Sequence, residues 1–145
     1  MLRKRSCIRF HVPGATLCWK KKPGLLGRGK YGEDRFPVLD ISRGGAKFVC
    51  NTRMDVGRKI VVRLELPGAR EPLEMLAVVR WAGRNTGMSY RFQVGIAFNP
   101  YGKGKNENPP QILERLKQLE AEHGQAEAQD AIQEAEQRAA QQAEQ

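Results

Sequence analysis

Between Lys59 and Leu66 the sequence alternates: Ile60, Val62, Leu64 and Leu66 fall on one parity and Val61, Arg63 and Glu65 on the other, until Pro67-Gly68 ends the run. Large apolar residues at every second position suit a strand that buries one face and do not suit a helix, whose faces repeat every 3.6 residues. Two similar strands are predicted at Leu73–Trp81 and Tyr90–Phe98, both rich in β-branched and aromatic residues, with Gly83-Arg84-Asn85-Thr86-Gly87 as the turn between them. Val12–Trp19, Phe36–Ser42 and Ala46–Cys50 supply three shorter candidates. Six strands at this spacing, with helix confined to the end, predict an all-β fold: a small six-stranded antiparallel β-barrel that closes its own edges.

The C-terminal part is of another kind. Asn108 can cap a helix and Pro109 can occupy its first turn, after which Ile112, Leu113, Leu116 and Leu119 form one apolar stripe that would dock on the barrel. Beyond Gly124 a Gln/Ala/Glu tract holds Ile132 as its only large apolar residue, a composition that can turn to helix but cannot bury a core, so residues 124–145 are expected to be a solvated polar tail, the alternative being a helix that pairs with a partner. Residues 1–11 are polar and charged and are expected to form a flexible N-terminal arm, leaving 12–123 as the barrel with its helix.

A chain of 145 residues with 40% hydrophobic content has room for one modest core without a disulfide framework. Cys7, Cys18 and Cys50 contain no C-x-x-C pair and suit reduced thiols in a cytoplasmic protein. Met1-Leu2-Arg3-Lys4-Arg5 resembles a charged leader start, but no apolar run of about 7–15 residues follows it. No apolar stretch of about 18 residues is present, so no membrane span is expected. Charge is divided unevenly: residues 1–105 carry 22 Lys/Arg against 7 Asp/Glu, and residues 106–145 carry 3 against 9. The basic part therefore favours anionic partners.

Two short motifs supply specific chemistry, Arg5-Ser6-Cys7-Ile8-Arg9 and Asp40-Ile41-Ser42-Arg43-Gly44-Gly45. Two guanidinium forks can grip a guanine O6/N7 edge or a phosphate, and a carboxylate can accept from the N1–H and N2–H₂ edge. A hydroxyl beside glycine amides can hold phosphate oxygens. On a strand of period two, Asp40 and Ser42 would project to one face while Leu39 and Ile41 enter the core. Gly44 and Gly45 could take φ > 0 and expose their amides.

Other motifs lead nowhere. Gly27-Arg28-Gly29-Lys30-Tyr31-Gly32 has the spacing of a dinucleotide fingerprint, but Lys20-Lys21-Lys22-Pro23 precedes it and Glu33-Asp34-Arg35-Phe36-Pro37 follows, so the required strand and helix are missing. Cys7, His11 and Cys18 match no common zinc spacing, and no metal is expected. His11 and His123 are the only general bases near neutral pH and no nucleophile stands beside them in sequence, so catalysis is not expected.

The two motifs in this order resemble the signature of the PilZ domains, bacterial receptors for cyclic di-GMP: Arg-x-x-x-Arg on an N-terminal loop, here Arg5 and Arg9, then Asp/Asn-x-Ser-x-x-Gly on a strand, here Asp40, Ser42 and Gly45. Val38–Phe48, Val78-Val79-Arg80-Trp81 and Gln93-Val94-Gly95-Ile96-Ala97-Phe98 are similar to the family's strands, so the resemblance spans roughly residues 3–120. It implies a six-stranded PilZ-like split barrel with a C-terminal helix. It also implies second-messenger signalling in motility or biofilm formation without chemistry, with cyclic di-GMP as ligand and no cofactor. By the resemblance, Arg5 and Arg9 grip guanine O6/N7 and phosphates, Asp40 reads a Watson–Crick edge, and Ser42 and Gly45 complete the contact. Ligand binding would order the arm, and an unidentified downstream protein would read the change. An alternative is a PilZ-fold adaptor in motility or pilus assembly with weak or no nucleotide binding. Nucleic-acid binding has only the basic charge behind it, since no stacking array of aromatics is evident. The loop from Lys20 to Arg35 is longer and more basic than the family pattern, and Lys20–Lys22, Arg28 and Lys30 could assist the ligand or simply be solvated. Trp81 could stack on a base or serve as a half-buried barrel aromatic.

Overall fold

The computed structural model describes residues 8–21, 31, 34–87 and 89–143. Arg5, Cys7 and, in the basic loop, Lys22, Arg28 and Lys30 lie outside the described residues. Six strands, β1 (Thr16–Lys21), β2 (Phe36–Ile41), β3 (Gly45–Cys50), β4 (Lys59–Glu65), β5 (Leu73–Arg84) and β6 (Phe92–Phe98), precede one helix, α1 (Pro110–Ala143). All neighbours are antiparallel, and the strands close into a barrel in the order β1-β2-β3-β6-β5-β4, with β4 pairing back to β1. The strands have the expected number and order. β1 begins at Thr16 rather than Val12 because Pro13-Gly14 make a turn, with Gly14 at φ 81° and Ala15 N donating to Val12 O at 3.1 Å.

Alternation along the strands fills the interior. Ile60, Val62, Leu64 and Leu66 are all buried, together with Leu17, Phe48, Met75, Val79 and Val94. Each such side chain contributes about 1.5–3 kcal/mol on leaving water. Cys50 belongs to this core and Cys18 is buried beside it; both are free, and burial pushes both thiols up from their ordinary value, which leaves little reactive thiolate near neutral pH.

In a closed barrel each strand residue faces in or out, and two bulges reverse that parity. The β2–β3 pairing steps from Val38↔Phe48 to Asp40↔Lys47, leaving Leu39 as an extra residue. Val38 and Ile41 are therefore both buried and Leu39 is only half-buried, so the expected inward Leu39 gives way to Val38. Without the extra residue Asp40 would share the inward face of Val38. The same thing happens in β5, where Val79↔Ile96 is followed by Trp81↔Gly95 with Arg80 between them. That bulge turns Trp81 outward, where it is 41% exposed and its pyrrole ring rests against Gly95 so closely that a Cβ there would collide with it.

Asn108 does not cap the helix. It is buried, its Oδ1 accepts from Leu76 N at 2.7 Å, and its Nδ2 donates to Leu76 O and Asn99 O, each at 3.0 Å. A buried amide that can satisfy its groups on β5 has none left for a helix end. Pro109 stands just before α1, its carbonyl accepting from Ile112 N at 3.0 Å. Leu116 and Leu119 are buried against the barrel core with Ile112 partly so. The segment expected as a polar tail from residue 124 is, as far as Ala143, a continuation of α1. Ala, Gln and Glu extend a helix readily once a docked first half has met the cost of nucleation.

Within the stretch expected as a free arm, Phe10 is held by the barrel. Phe10 N donates to Ile41 O and Ile41 N to Phe10 O, both at 2.8 Å, and the Phe10 side chain is fully buried. Its ring lies parallel to His123 of α1, centroids 6.5 Å apart. Among the described residues, then, the stretch leading into β1 is fastened to β2 and α1 by an aromatic anchor that is simultaneously part of the core.

Phe10→Ala is expected to destabilise the protein by about 3–5 kcal/mol, read from urea unfolding, because it empties a fully enclosed aromatic site. In a Trp19→Phe background, which leaves Trp81 as the only emitter, Gly95→Ala should displace the indole into water and shift its fluorescence to longer wavelength. An unchanged emission maximum would contradict the packing of Trp81 on Gly95.

Candidate functional site

The motif residues that the structure describes meet in one cleft. Arg9, Asp40, Ser42, Gly44 and Gly45 line a concavity of about 230 Å³ together with Lys47, Arg80 and Trp81. Arg9 arrives there because the bridge between Phe10 and Ile41 lays the incoming chain beside the end of β2. Asp40 and Trp81 arrive through the two bulges, and Lys47 because β3 pairs it directly opposite Asp40. Arg5 lies outside the described residues.

Asp40 is shared by two cations. Its Oδ2 stands 3.7 Å from Arg9 Nη1 and 3.4 Å from Lys47 Nζ, with the Arg9 side chain 44% exposed. Separations of this size are ion pairs rather than good hydrogen bonds. At this exposure such pairs contribute at most about 1 kcal/mol, so both partners can exchange into contacts with a ligand at little cost. With Arg80 also on the cleft wall, three cations and one carboxylate line the cleft, which is cationic overall.

The spacing of Asp-x-Ser-x-x-Gly is that of a tight β2–β3 connection. Ser42 N donates to Gly45 O at 2.8 Å, the Ser42 hydroxyl accepts from Gly44 N at 3.2 Å, and it lies 3.4 Å from Gly45 O, to which it donates. Phe98 N donates to Gly44 O at 2.8 Å, tying the turn to β6. Neither Gly44 nor Gly45 has positive φ, contrary to the sequence-based expectation. Glycine is required at 45 for a steric reason: a Cβ there would run into the Ile96 carbonyl oxygen across the β3–β6 ladder. Between Ser42 and Gly44, Arg43 points away to α1, where Nε and Nη2 donate to Glu120 Oε2 and Oε1 at 2.8 and 3.1 Å.

Lys47 and Arg80 escape the motif reading. Lys47 has a signal: folding Phe36–Ile41 back on Gly45–Cys50 across the Ser42 turn sets a lysine against Asp40. Arg80 has none, since nothing in Val78-Val79-Arg80-Trp81 announces a bulge. Of the basic loop, Tyr31 is described: Lys20 Nζ at 4.5 Å and Arg63 Cζ at 4.4 Å both stand over its ring, and burial pushes its phenol up from the ordinary value. A larger groove of about 760 Å³, lined by Asn51, Arg84, Asn85, Tyr90 and Arg91 among others, contains no carboxylate and no motif residue among the described residues. Its amides bond within the protein, Asn85 to Tyr90 O and Gln93 and Asn51 to Arg91 N. Among the described residues no three His, Cys, Asp or Glu side chains are grouped to hold a metal, and no helix is long and apolar enough to cross a membrane.

Comparison with curated protein sequences gives no match. Solved structures with the same fold include the PilZ domain of Escherichia coli YcgR with cyclic di-GMP, at a TM-score of 0.62 and 14% identity over 90% of this chain and 98% of that one. The Bacillus subtilis inhibitor of motility MotI/DgrA matches at 0.59 and 16% identity over 81% of this chain and 50% of its own. MrkH of K. pneumonia in complex with cyclic di-GMP matches at 0.55 and 17% over 95% and 57%. The chain thus spans about half the length of MotI and MrkH. The sequence model of the PilZ domain matches residues 26–109, more than half of the chain and the part that carries all six strands but the first. Sequence and topology agree, and the chain belongs to the PilZ domain family.

Proposed function

We propose that this protein is a cyclic di-GMP receptor that performs no chemistry and passes ligand occupancy to a downstream protein. The observation that carries the proposal is the convergence of Arg9, Asp40, Ser42 and Gly45, far apart in sequence in two groups, on one cationic cleft. Solved relatives named as complexes with cyclic di-GMP make that ligand the natural candidate.

Ligand chemistry matches what the cleft offers. Arg9 and Lys47 need only leave a loose pair with Asp40 to face phosphates or a guanine O6/N7 edge, and the carboxylate is then free to accept from a guanine N1–H and N2–H₂. Trp81 presents an exposed indole on the same wall and supplies a surface on which a purine can stack. A volume of about 230 Å³ is below the roughly 300–1,000 Å³ of pockets that enclose small molecules. The cleft therefore suits part of a dinucleotide, and Arg5, four residues before Arg9, would close over the remainder. The proposed setting is the cytoplasm. An adaptor working through protein contacts alone is the competing view, and the intact set of contact residues speaks against it.

Calorimetric titration at physiological salt tests the ligand. Cyclic di-GMP should bind, and GTP and single-stranded DNA should bind far more weakly, because one compact ligand with two guanines and two phosphates can satisfy the arginines and Asp40 together; equal affinity for all three would leave only nonspecific charge. Arg5→Ala, Arg9→Ala and Asp40→Ala should each weaken binding by about 1–3 kcal/mol, ten- to hundredfold, with far-UV circular dichroism unchanged.

A further inference from the structure

Arg43 occupies one of the variable positions of the Asp-x-Ser-x-x-Gly motif and is the most firmly held cation near the cleft. Both forks of its guanidinium engage Glu120, at 2.8 and 3.1 Å, and the Glu120 side chain is only 10% exposed. Its carbonyl accepts from the Tyr101 hydroxyl at 2.6 Å. Side chain and peptide of one residue are thus pinned from two directions, by α1 and by the segment after β6. Bidentate, partly buried contacts of this kind are much stiffer than the 3.4–3.7 Å pairs that Asp40 makes with Lys47 and Arg9.

We infer that Glu120, although it does not line the cleft, is a positioning residue for the ligand: it draws Arg43 out to the helix and so fixes the Ser42–Gly45 turn and keeps Asp40 available. The role presupposes cyclic di-GMP as the ligand. Two carboxylates serve the cations here, and they divide the work. Glu120 takes Arg43 tightly, and Asp40 is left with partners it can exchange. Asp40 precedes Arg43 by three residues at the end of β2, and a guanidinium released from Glu120 can compete for that carboxylate. An Arg43–Asp40 pair would occupy the group that reads guanine and would swing the peptide that carries the Ser42 and Gly44 contacts. His123 stands one helical turn beyond Glu120 and stacks on Phe10, the neighbour of Arg9, so a single face of α1 holds both halves of the bipartite motif.

The test combines titration with cyclic di-GMP and amide exchange of the empty proteins. Glu120→Ala should weaken binding about tenfold, and adding Arg43→Ala to it should weaken binding no further, because the second change removes the displaced cation. Glu114→Ala, whose side chain faces solvent beside Lys117, should bind as the wild type does. In the absence of ligand, Glu120→Ala should exchange faster at residues 42–45 and not in β4. Wild-type affinity in a folded Glu120→Ala, or a multiplicative loss in the double variant, would overturn the inference. Unchanged exchange at residues 42–45 would overturn it whether or not any ligand binds. Failure of the wild type to bind cyclic di-GMP would remove the ligand proposal and this role with it, and the exchange data would still report separately on how the turn is held.

Discussion

The inside–outside alternation of a closed barrel is the constraint on which everything else in this molecule depends. It sets Ile60, Val62 and Leu64 facing in and Arg63 and Glu65 facing out, and closure leaves no edge strand to relax it. A functional group cannot be moved to the other face by a small adjustment; a whole residue must be inserted. The cleft exists because that happens twice, at Leu39 and at Arg80, on strands that lie on either side of the β3–β6 pair. Each bulge turns out one side chain, Asp40 or Trp81, that strict alternation would bury. Glycines at 45 and 95 then let the neighbouring strands and the indole approach as closely as the bulges require.

Electrostatics inside this frame follow a division between firm and loose pairs. The firm pair, Arg43 with Glu120, is bidentate and directed away from the cleft; the loose ones, around Asp40, line it. Exposed pairs at such distances hold the cations roughly in place without committing them. An anionic ligand therefore meets a surface whose charges are already gathered, and it need not break a strong salt bridge to use them. The excess of basic residues in the first 105 positions adds a general attraction for anions, but charge without Asp40 and Trp81 gives no reason to prefer guanine.

Much of this was legible in the sequence, and the failures are instructive. Six strands and a terminal helix followed from parity and turn residues, because burial enforces a simple period. The bipartite motif pointed to residues that the fold gathers in one cleft, since the hairpin Ser42–Gly45 is local and β2 leads straight into it. What alternation alone could not reveal were its own interruptions: Leu39 reads as a core residue until pairing shows the register shift, and nothing in the sequence marks the second shift, beside Trp81. Asn108 reads as a helix cap because the cap is a local device, whereas its partners on β5 are 32 residues away. Phe10 alternates with Ile8 and Val12, but nothing local names His123 and the barrel core as what encloses it. Residues whose roles depend on distant partners stay hidden in one sequence. Arg43 and Glu120, separated by 77 positions, are the clearest case.

The helix links these distant pieces. Leu116 and Leu119 are buried with the barrel core, Glu120 binds the turn, and His123 meets Phe10, all within about two helical turns. Beyond Gly124 the sequence offers no apolar stripe of its own, so α1 persists to Ala143 through propagation from the docked turns. Helix propagation is cooperative, and a loosened first half leaves the second without a nucleus. The contacts that shape the cleft are therefore also those from which the distal helix grows. The hold of Arg43 on Glu120 therefore bears on both the Ser42–Gly45 turn and the docked turns of α1.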